Sequence, residues 1–279
     1  MDQKTLETSL ADLSISAIRY IPSVDSTNDE AARWIDQGAP DASLVVADEQ
    51  AAGRGRAGRR WHTSAGVSLA FSLIFHSTRA NIQVMPRMTA LGALAVRYAL
   101  QRNYNLRAQI KWPNDVLIER HKVAGVLAEL QWAGDQLKAI VLGVGINIAP
   151  GSVDEDILPT STINFPATCI ETALGRPVDR VQLLHDILSD LLYWKPRLGS
   201  NDFLQEWESS LAFRGEWVQV SAGESFGKDG LPADMERVPK SIDEGQVIGL
   251  TTDGSLKLRT RSGEVVIARV GELRLLPQK

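Results

Sequence analysis

Apolar and polar positions along this chain recur with two periods. Val67, Leu69, Phe71, Leu73 and Phe75 stand two apart, which predicts a strand over 67–75 with one face buried. After it, Val84, Met88, Leu91, Ala95 and Tyr98 follow helical spacing and predict a helix of about 18 residues. Ile15–Ile21 reads as a strand ended by Pro22, and Leu44–Ala47 as a short one. Ala108–Lys111, Asp115–Ile118, Val123–Gln131 and Leu137–Ile148 read as successive strands, with turns at Pro113-Asn114 and Gly134-Asp135. Between the first two strands, Asp25-Ser26-Thr27-Asn28 offers several N-cap side chains. Asp29 and Glu30 then fall in the first turn of a helix that Gly38 and Pro40 end. Leu6, Leu10 and Leu13 suggest a marginal helix or a tail. After an irregular acidic stretch beyond Pro150, Asp179 caps a helix with Leu184, Ile187, Leu188 and Leu191 inward, and a shorter helix covers Phe203–Ser210.

From Phe213 the texture changes to short strands at Trp217–Val220, Gln246–Thr252, Leu256–Arg261 and Val265–Val270. Hairpin turns fall at Asp253-Gly254 and Ser262-Gly263, and a polar insert runs over Gly223–Glu244. The expected organisation is therefore a larger domain over 1–212 and a small β module over 213–279, which leans on the first because so short a chain cannot enclose much core.

Composition adds that the 279 residues, 44% hydrophobic and 23% charged, form a globular chain and neither a disordered tail nor a fibre. Cys169 alone rules out an internal disulfide and a multi-cysteine metal site, and fits a reducing compartment. No run is apolar enough for a signal core or a membrane span, so the cytoplasm is the expected location and no membrane partner is expected. Charge changes the picture more. Gln50 through Asn114, 65 residues, hold no acid and ten bases, within a chain of net charge −4. Such a segment points to a local anion site. Arg87, Arg97 and Arg102 fall on the long helix and read as its solvated face.

The chemistry collects in four places. The first is Gly53-Arg54-Gly55-Arg56-Ala57-Gly58-Arg59-Arg60-Trp61. Its glycines let backbone N–H groups approach a ligand, and its guanidiniums match carboxylate and phosphate oxygens. It leads into a strand, so it is no dinucleotide fingerprint, and it lacks the Gly-Lys-Ser/Thr of a Walker A loop. Read alone, it also suits RNA. The second is Lys111-Trp112-Pro113-Asn114-Asp115, where a lysine at a strand end can reach into a cleft and Asp115 would suit a nucleotide's Mg²⁺; Pro-Asn-Asp is equally a good turn. The third is Lys122–Glu129, and the fourth Gly143-Val144-Gly145-Ile146-Asn147, whose glycines mark either close ligand approach or tight strand packing. The four histidines show no metal-ligand spacing, and there is no nucleophile motif.

Taken together and in this order, Asp25–Asn28, the Gln50…Trp61 loop, Lys111–Asp115, Lys122–Glu129 and Gly143–Asn147 resemble the biotin–protein ligases over about residues 15–150, with a looser likeness in the C-terminal module. The resemblance implies an α+β fold: a mixed, mostly antiparallel sheet packed with helices, as in class II synthetase-like ligases, plus a small SH3-like β-barrel. It implies a biotin–[acetyl-CoA-carboxylase] ligase that uses ATP and Mg²⁺ to form biotinyl-5′-AMP and then biotinylates a lysine of a biotin carboxyl carrier domain. By position, Ser26, Thr27, Asn28, Gln50, Gly53, Arg54, Arg56, Lys111 and Gly125 would bind biotin. Arg54, Arg56, Arg59, Trp61, Lys111, Asn114, Gly143, Gly145 and Asn147 would bind ATP or the adenylate. Lys111 and Arg56 would be catalytic, with no protein metal ligands assigned. Only about 15 residues precede the first strand, so the DNA-binding winged helix of some members is not expected, nor a DNA partner. Lipoate–protein ligases share the fold class and the acyl-adenylate chemistry, but their Arg-Arg-x-Ser-Gly-Gly-Gly type of loop is not found. A non-enzymatic RNA or nucleotide binder would need aromatics interleaved with the arginines, and only Trp61 lies near them. Strand edges at Val126–Gln131 or Leu137–Ile148 could pair subunits, leaving monomer and homodimer open.

Overall fold

A computed structural model describes residues 1–77, 87–153, 165–221 and 243–276. Two sheets organise them. The larger has seven strands in the order β1(Ala17–Val24)-β2(Ser43–Gln50)-β3(Ser68–His76)-β7(Gln136–Asn147)-β6(His121–Ala133)-β5(Asp115–Ile118)-β4(Ala108–Lys111). The β1–β2 pair is parallel and the rest antiparallel. Helix α2 (Thr27–Asp36) connects β1 to β2, as a parallel crossover requires. Helix α3 (Met88–Tyr104) packs on β6 and β7 and on α5 (Arg180–Trp194), and its residues from Met88 to Leu100 are buried on nearly every side. The second sheet runs β11(Val265–Ala268)-β10(Leu256–Arg259)-β9(Asp243–Leu250)-β8(Trp217–Ser221)-β12(Glu272–Leu275) and is wholly antiparallel. One hydrophobic cluster runs through both sheets, from Leu6 and Phe71 to Val218 and Leu273. The mixed α+β reading and the small second β unit are thus what the chain forms.

Several expectations are refined. β1 does not stop at Pro22 but continues to Val24, because β1 is an edge strand and a proline there removes no ladder bond that the sheet needs. The N-terminus forms helix α1 (Gln3–Ser9), where Asp2 accepts from the Thr5 amide and Leu6 and Leu10 are buried. β7 is interior, so Leu137–Ile148 offers no free edge, whereas β6 beyond Gly125 pairs with β7 alone among the described strands. Asp179 caps α5 as expected, accepting from Val181 and Gln182 amides. A short helix, α4 (Ile170–Leu174), and the last strand β12 were not foreseen, and α6 (Asn201–Ser209) starts two residues early. Arg87 and Arg102 are not simply solvated: Arg87 donates to the carbonyls of Leu198 and Thr252, and Arg102 pairs with Asp190 at 2.8 Å. Val84, most of the acidic stretch after Pro150 and most of the Gly223–Glu244 insert lie outside the described residues.

Candidate active site

The floor of the site is the middle of the β6–β7 pair, where Gly125 lies opposite Gly145. Two facing glycines leave a trough in the sheet, and the Trp61 indole lies in it. A Cβ on Gly145 would run into the indole nitrogen, and one on Gly125 would stand 3.1 Å from the ring. That indole N–H is buried with no hydrogen-bond partner among the described residues. Gly143, two residues along the same face, is opposite Leu127 on one side and Ser72 on the other. The space its side chain would take is filled by the Asn28 amide. At both positions the space is taken by the protein's own side chains, the Asn28 amide at Gly143 and the Trp61 indole at Gly145, which is the packing reading of these glycines.

A continuous chain of hydrogen bonds runs from Thr63 through Asn28 to Arg54 of the glycine–arginine loop. The Thr63 hydroxyl accepts from Gln50 Nε2 (2.9 Å), and Gln50 Oε1 accepts from the Thr27 amide (2.9 Å) and meets its hydroxyl (3.1 Å). The Ser72 hydroxyl bridges Thr27 Oγ1 (2.8 Å) and Asn28 Oδ1 (2.6 Å). Asn28 Nδ2 donates to Glu129 Oε2 at 2.6 Å, and the same oxygen accepts from Arg54 at 2.8 Å. Asp29 also pairs with Arg54, at 2.7 Å. Thr27, Asn28 and Asp29 are the first turn of α2, whose N-cap Ser26 is buried and extended with no side-chain capping bond. The first amide of this helix, that of Thr27, is taken by Gln50, which ties the helix end into the same chain of hydrogen bonds.

The loop itself is a small hairpin. The Trp61 amide donates to the Gly53 carbonyl (2.8 Å), the Gly55 amide to Arg59 (2.7 Å), and a single 3₁₀ turn, Arg56–Gly58, makes the bend. Only a glycine fits at 53, since a Cβ there would collide with the Trp61 carbonyl. Arg56 reaches Asn114 Oδ1 at 3.3 Å; burial pulls its guanidinium below the ordinary arginine value, against the attraction of Asp115.

Behind the loop lies a cluster of charges. Lys111 ends β4 and Asp115 opens β5, and they are register partners. Lys111 Nζ is 3.1 Å from one oxygen of buried Asp115, and Lys122 Nζ is 2.7 Å from the other. Burial pushes the Asp115 carboxyl up, but Lys122 and Lys111 outweigh it and hold the group well below the usual carboxylate range. The two lysines differ in surroundings. The Lys111 side chain is 8% exposed and lies against the Phe165 ring at 5.0 Å; that of Lys122 is 27% exposed, beside Gly125 and 5.3 Å over the Trp61 ring. From the second sheet, Glu272 of β12 pairs with Arg59 and lies 3.9 Å from Lys111.

Of the residues expected in the site, the structure gathers Ser26, Thr27, Asn28, Gln50, Gly53, Arg54, Trp61, Gly125, Gly143 and Gly145 around one trough, with Arg56, Asn114 and Lys111 beside it. Asn147 is on the same strand face and donates to the Thr168 carbonyl at 3.1 Å, and Arg59 is turned toward the second sheet. Asp115 does not fit the metal-ligand role that its sequence position suggested: both oxygens are engaged by lysines. Sequence reasoning missed Ser72, Glu129 and Glu272, and named Lys122 without a role. No helix of the described residues is long and apolar enough to cross a membrane.

Residues 20–147 match the biotin/lipoate A/B protein ligase family. The chain is 30% identical to a bifunctional ligase/repressor BirA of Bacillus spizizenii over 88% of this chain and 70% of that one. It is also 30% identical to a biotin–[acetyl-CoA-carboxylase] ligase of Paracoccus denitrificans, over 87% of this chain and 94% of the other. Among solved structures, a biotin protein ligase from Aquifex aeolicus in complex with biotin and ATP superposes with a TM-score of 0.73 and 25% identity, covering 95% of this chain and all of that one.

Proposed function

Because the chain belongs to the biotin protein ligases, a premise its relatives establish, we propose how the trough performs their reaction. The enzyme is a biotin–[acetyl-CoA-carboxylase] ligase that binds biotin and ATP, activates biotin and transfers it. The observation that carries the residue assignment is the division of the trough. A neutral hydrogen-bonding pocket made by Thr27, Gln50, Ser72 and Asn28 adjoins a cationic end made by Lys122, Lys111 and Arg56, with Arg54 at the border of the neutral pocket. Biotin has the same division, a neutral ureido ring and a carboxylate joined by an alkyl chain.

In the first half-reaction a carboxylate oxygen attacks the α-phosphorus of ATP and pyrophosphate leaves. In the second, the amine of an acceptor lysine attacks the acyl carbon, AMP leaves and the amine gives up a proton. Both substrates of the first step are anions, so fixed cations that offset their repulsion and the developing charge are the main requirement. We assign that task to Lys122, which is the more exposed of the two ammoniums and overhangs the trough. Lys111, with Asp115, holds it there. Arg56 and the loop amides meet phosphate, and Trp61 forms one wall. We extend the second half-reaction to a lysine of a carboxyl carrier domain. Mg²⁺ would enter on the triphosphate, since Asp115 is already neutralised by two lysines.

Pyrophosphate exchange into ATP tests the assignment, with biotin and lipoate compared side by side. Exchange is expected with biotin and not with lipoate, and exchange with lipoate alone would overturn the reading. Lys122→Gln should lower the biotin-dependent exchange rate by about 10²–10³-fold, measured well below the variant's own Tm because the change also takes one of two ammoniums from buried Asp115. Near-normal exchange would remove Lys122 from the chemistry.

A further inference from the structure

Glu129 is an acid inside a site built for anions, and nothing in the proposed reaction uses it. It lies on β6 four residues beyond Gly125 and so on the same face of the sheet as the trough. A single oxygen, Oε2, accepts from Asn28 at 2.6 Å and from Arg54 at 2.8 Å, while Asp29 holds the same Arg54 nitrogen at 2.7 Å. Asn28 cannot drift, because its own oxygen is bonded to Ser72 and its amide is lodged against Gly143. The carboxylate of Glu129 is therefore fixed at the boundary between the neutral pocket and the glycine–arginine loop, on a guanidinium suited to a substrate carboxylate.

We propose that Glu129 is a positioning residue that stands in for the substrate carboxylate on Arg54, so that a ligand with an acid group exchanges for it one charge for another. The proposal rests on the reading of the trough as a biotin site. The exchange leaves no group stranded. When Arg54 turns to the ligand, Glu129 keeps the Asn28 donor, and Asp29, about one-third exposed, is hydrated. A neutral ligand makes no such exchange and leaves Arg54 where it is. Glu129 thus acts on acidic ligands alone, weakening their binding by the strength of the pair they must replace, and it fastens the loop through Arg54 when no acid is bound.

The test compares biotin with its neutral amide, biotinamide, by calorimetric titration of the parent chain and of Glu129→Gln. Glutamine still accepts from Asn28 but carries no charge. Biotin is expected to bind the variant about two- to fivefold more tightly, the range that a partly exposed ion pair supplies, with biotinamide unchanged. Trypsin should also cut the ligand-free variant faster at Arg54–Arg60. Equal shifts for both ligands would mean that Glu129 only braces the pocket, and weaker or unaltered biotin binding would equally overturn the proposal. Asp29→Asn gives a second route that leaves the Asn28 contact intact, and is expected to shift biotin in the same direction by less. If neither ligand binds the parent chain, the biotin reading itself fails, a result distinct from any of these.

Discussion

Asp115 shows how one buried residue can fix the positions of its neighbours. A buried carboxylate between two ammoniums is held in its charged form, and each lysine is in turn held in place by it. Its folded-state pKa lies below the ordinary 3.8, so the group contributes stability at any pH above that value and loses it progressively as the pH falls below. Asp115→Asn should therefore destabilise the chain at pH 7 by about 3–5 kcal/mol, the usual effect of breaking a buried pair, with the gap to the parent narrowing below pH 3.8. Urea unfolding at pH 7 and in acid checks both the size and the sign. At this scale the sequence was only partly legible. It pointed to Lys111 through its strand-end position, yet the burial that turns Lys111 inward and leaves Lys122 over the trough depends on Phe165 and Asp115 packing around it. Ser72, Glu129 and Glu272 carry no local mark, because their partners lie 44, 101 and 213 residues away.

At the scale of elements, the sequence was read well where a period ran for several residues. β3 lies where its alternation predicts a strand, although both of its faces are buried and not one, and Asp179 and the Gly254 and Gly263 turns fall where side-chain chemistry or positive φ requires them; the helix after Asp25–Asn28 forms as expected but without a side-chain cap. It was read poorly where context overrides a local rule, as at Pro22 on an edge strand, or where the element is short, as in α4 and β12. The facing Gly125 and Gly145 belong to this scale, since their purpose appears only when β6 pairs with β7 and the loop lays Trp61 over both. Gly145→Ala should keep the sheet, because the backbone there is ordinary strand, but lift Trp61 from the trough. A red-shifted tryptophan emission and a loss of pyrophosphate exchange with little change in far-ultraviolet circular dichroism are the expected results. Unchanged exchange would show that the indole's seat is dispensable.

Across the whole molecule, the two sheets share more than a boundary. Trp112, beside Lys111, donates to the Gly254 carbonyl at 3.1 Å, and Trp207 of α6 packs so closely on Gly254 that no side chain would fit there. Glu208 accepts from the Leu250 amide at 2.7 Å, Arg87 reaches Thr252, and Glu272 brings a carboxylate to Arg59 and Lys111. The division at 212/213 that we propose is thus one of architecture, while the apolar cluster that crosses it argues for one folding unit. Removing 213–279 would expose Trp112 and Trp207, each now at most 3% exposed, at about 1.5–3 kcal/mol per large side chain, and would take Glu272 from the cationic end of the trough. The full chain should therefore melt in a single calorimetric transition whose van't Hoff and calorimetric enthalpies agree. A 1–212 fragment should melt at lower temperature, bind a hydrophobic dye and fail to exchange pyrophosphate with biotin. Two separate transitions in the full chain, or a fragment that still exchanges, would show that the smaller sheet is an appendage and that the cationic end keeps its arrangement without Glu272.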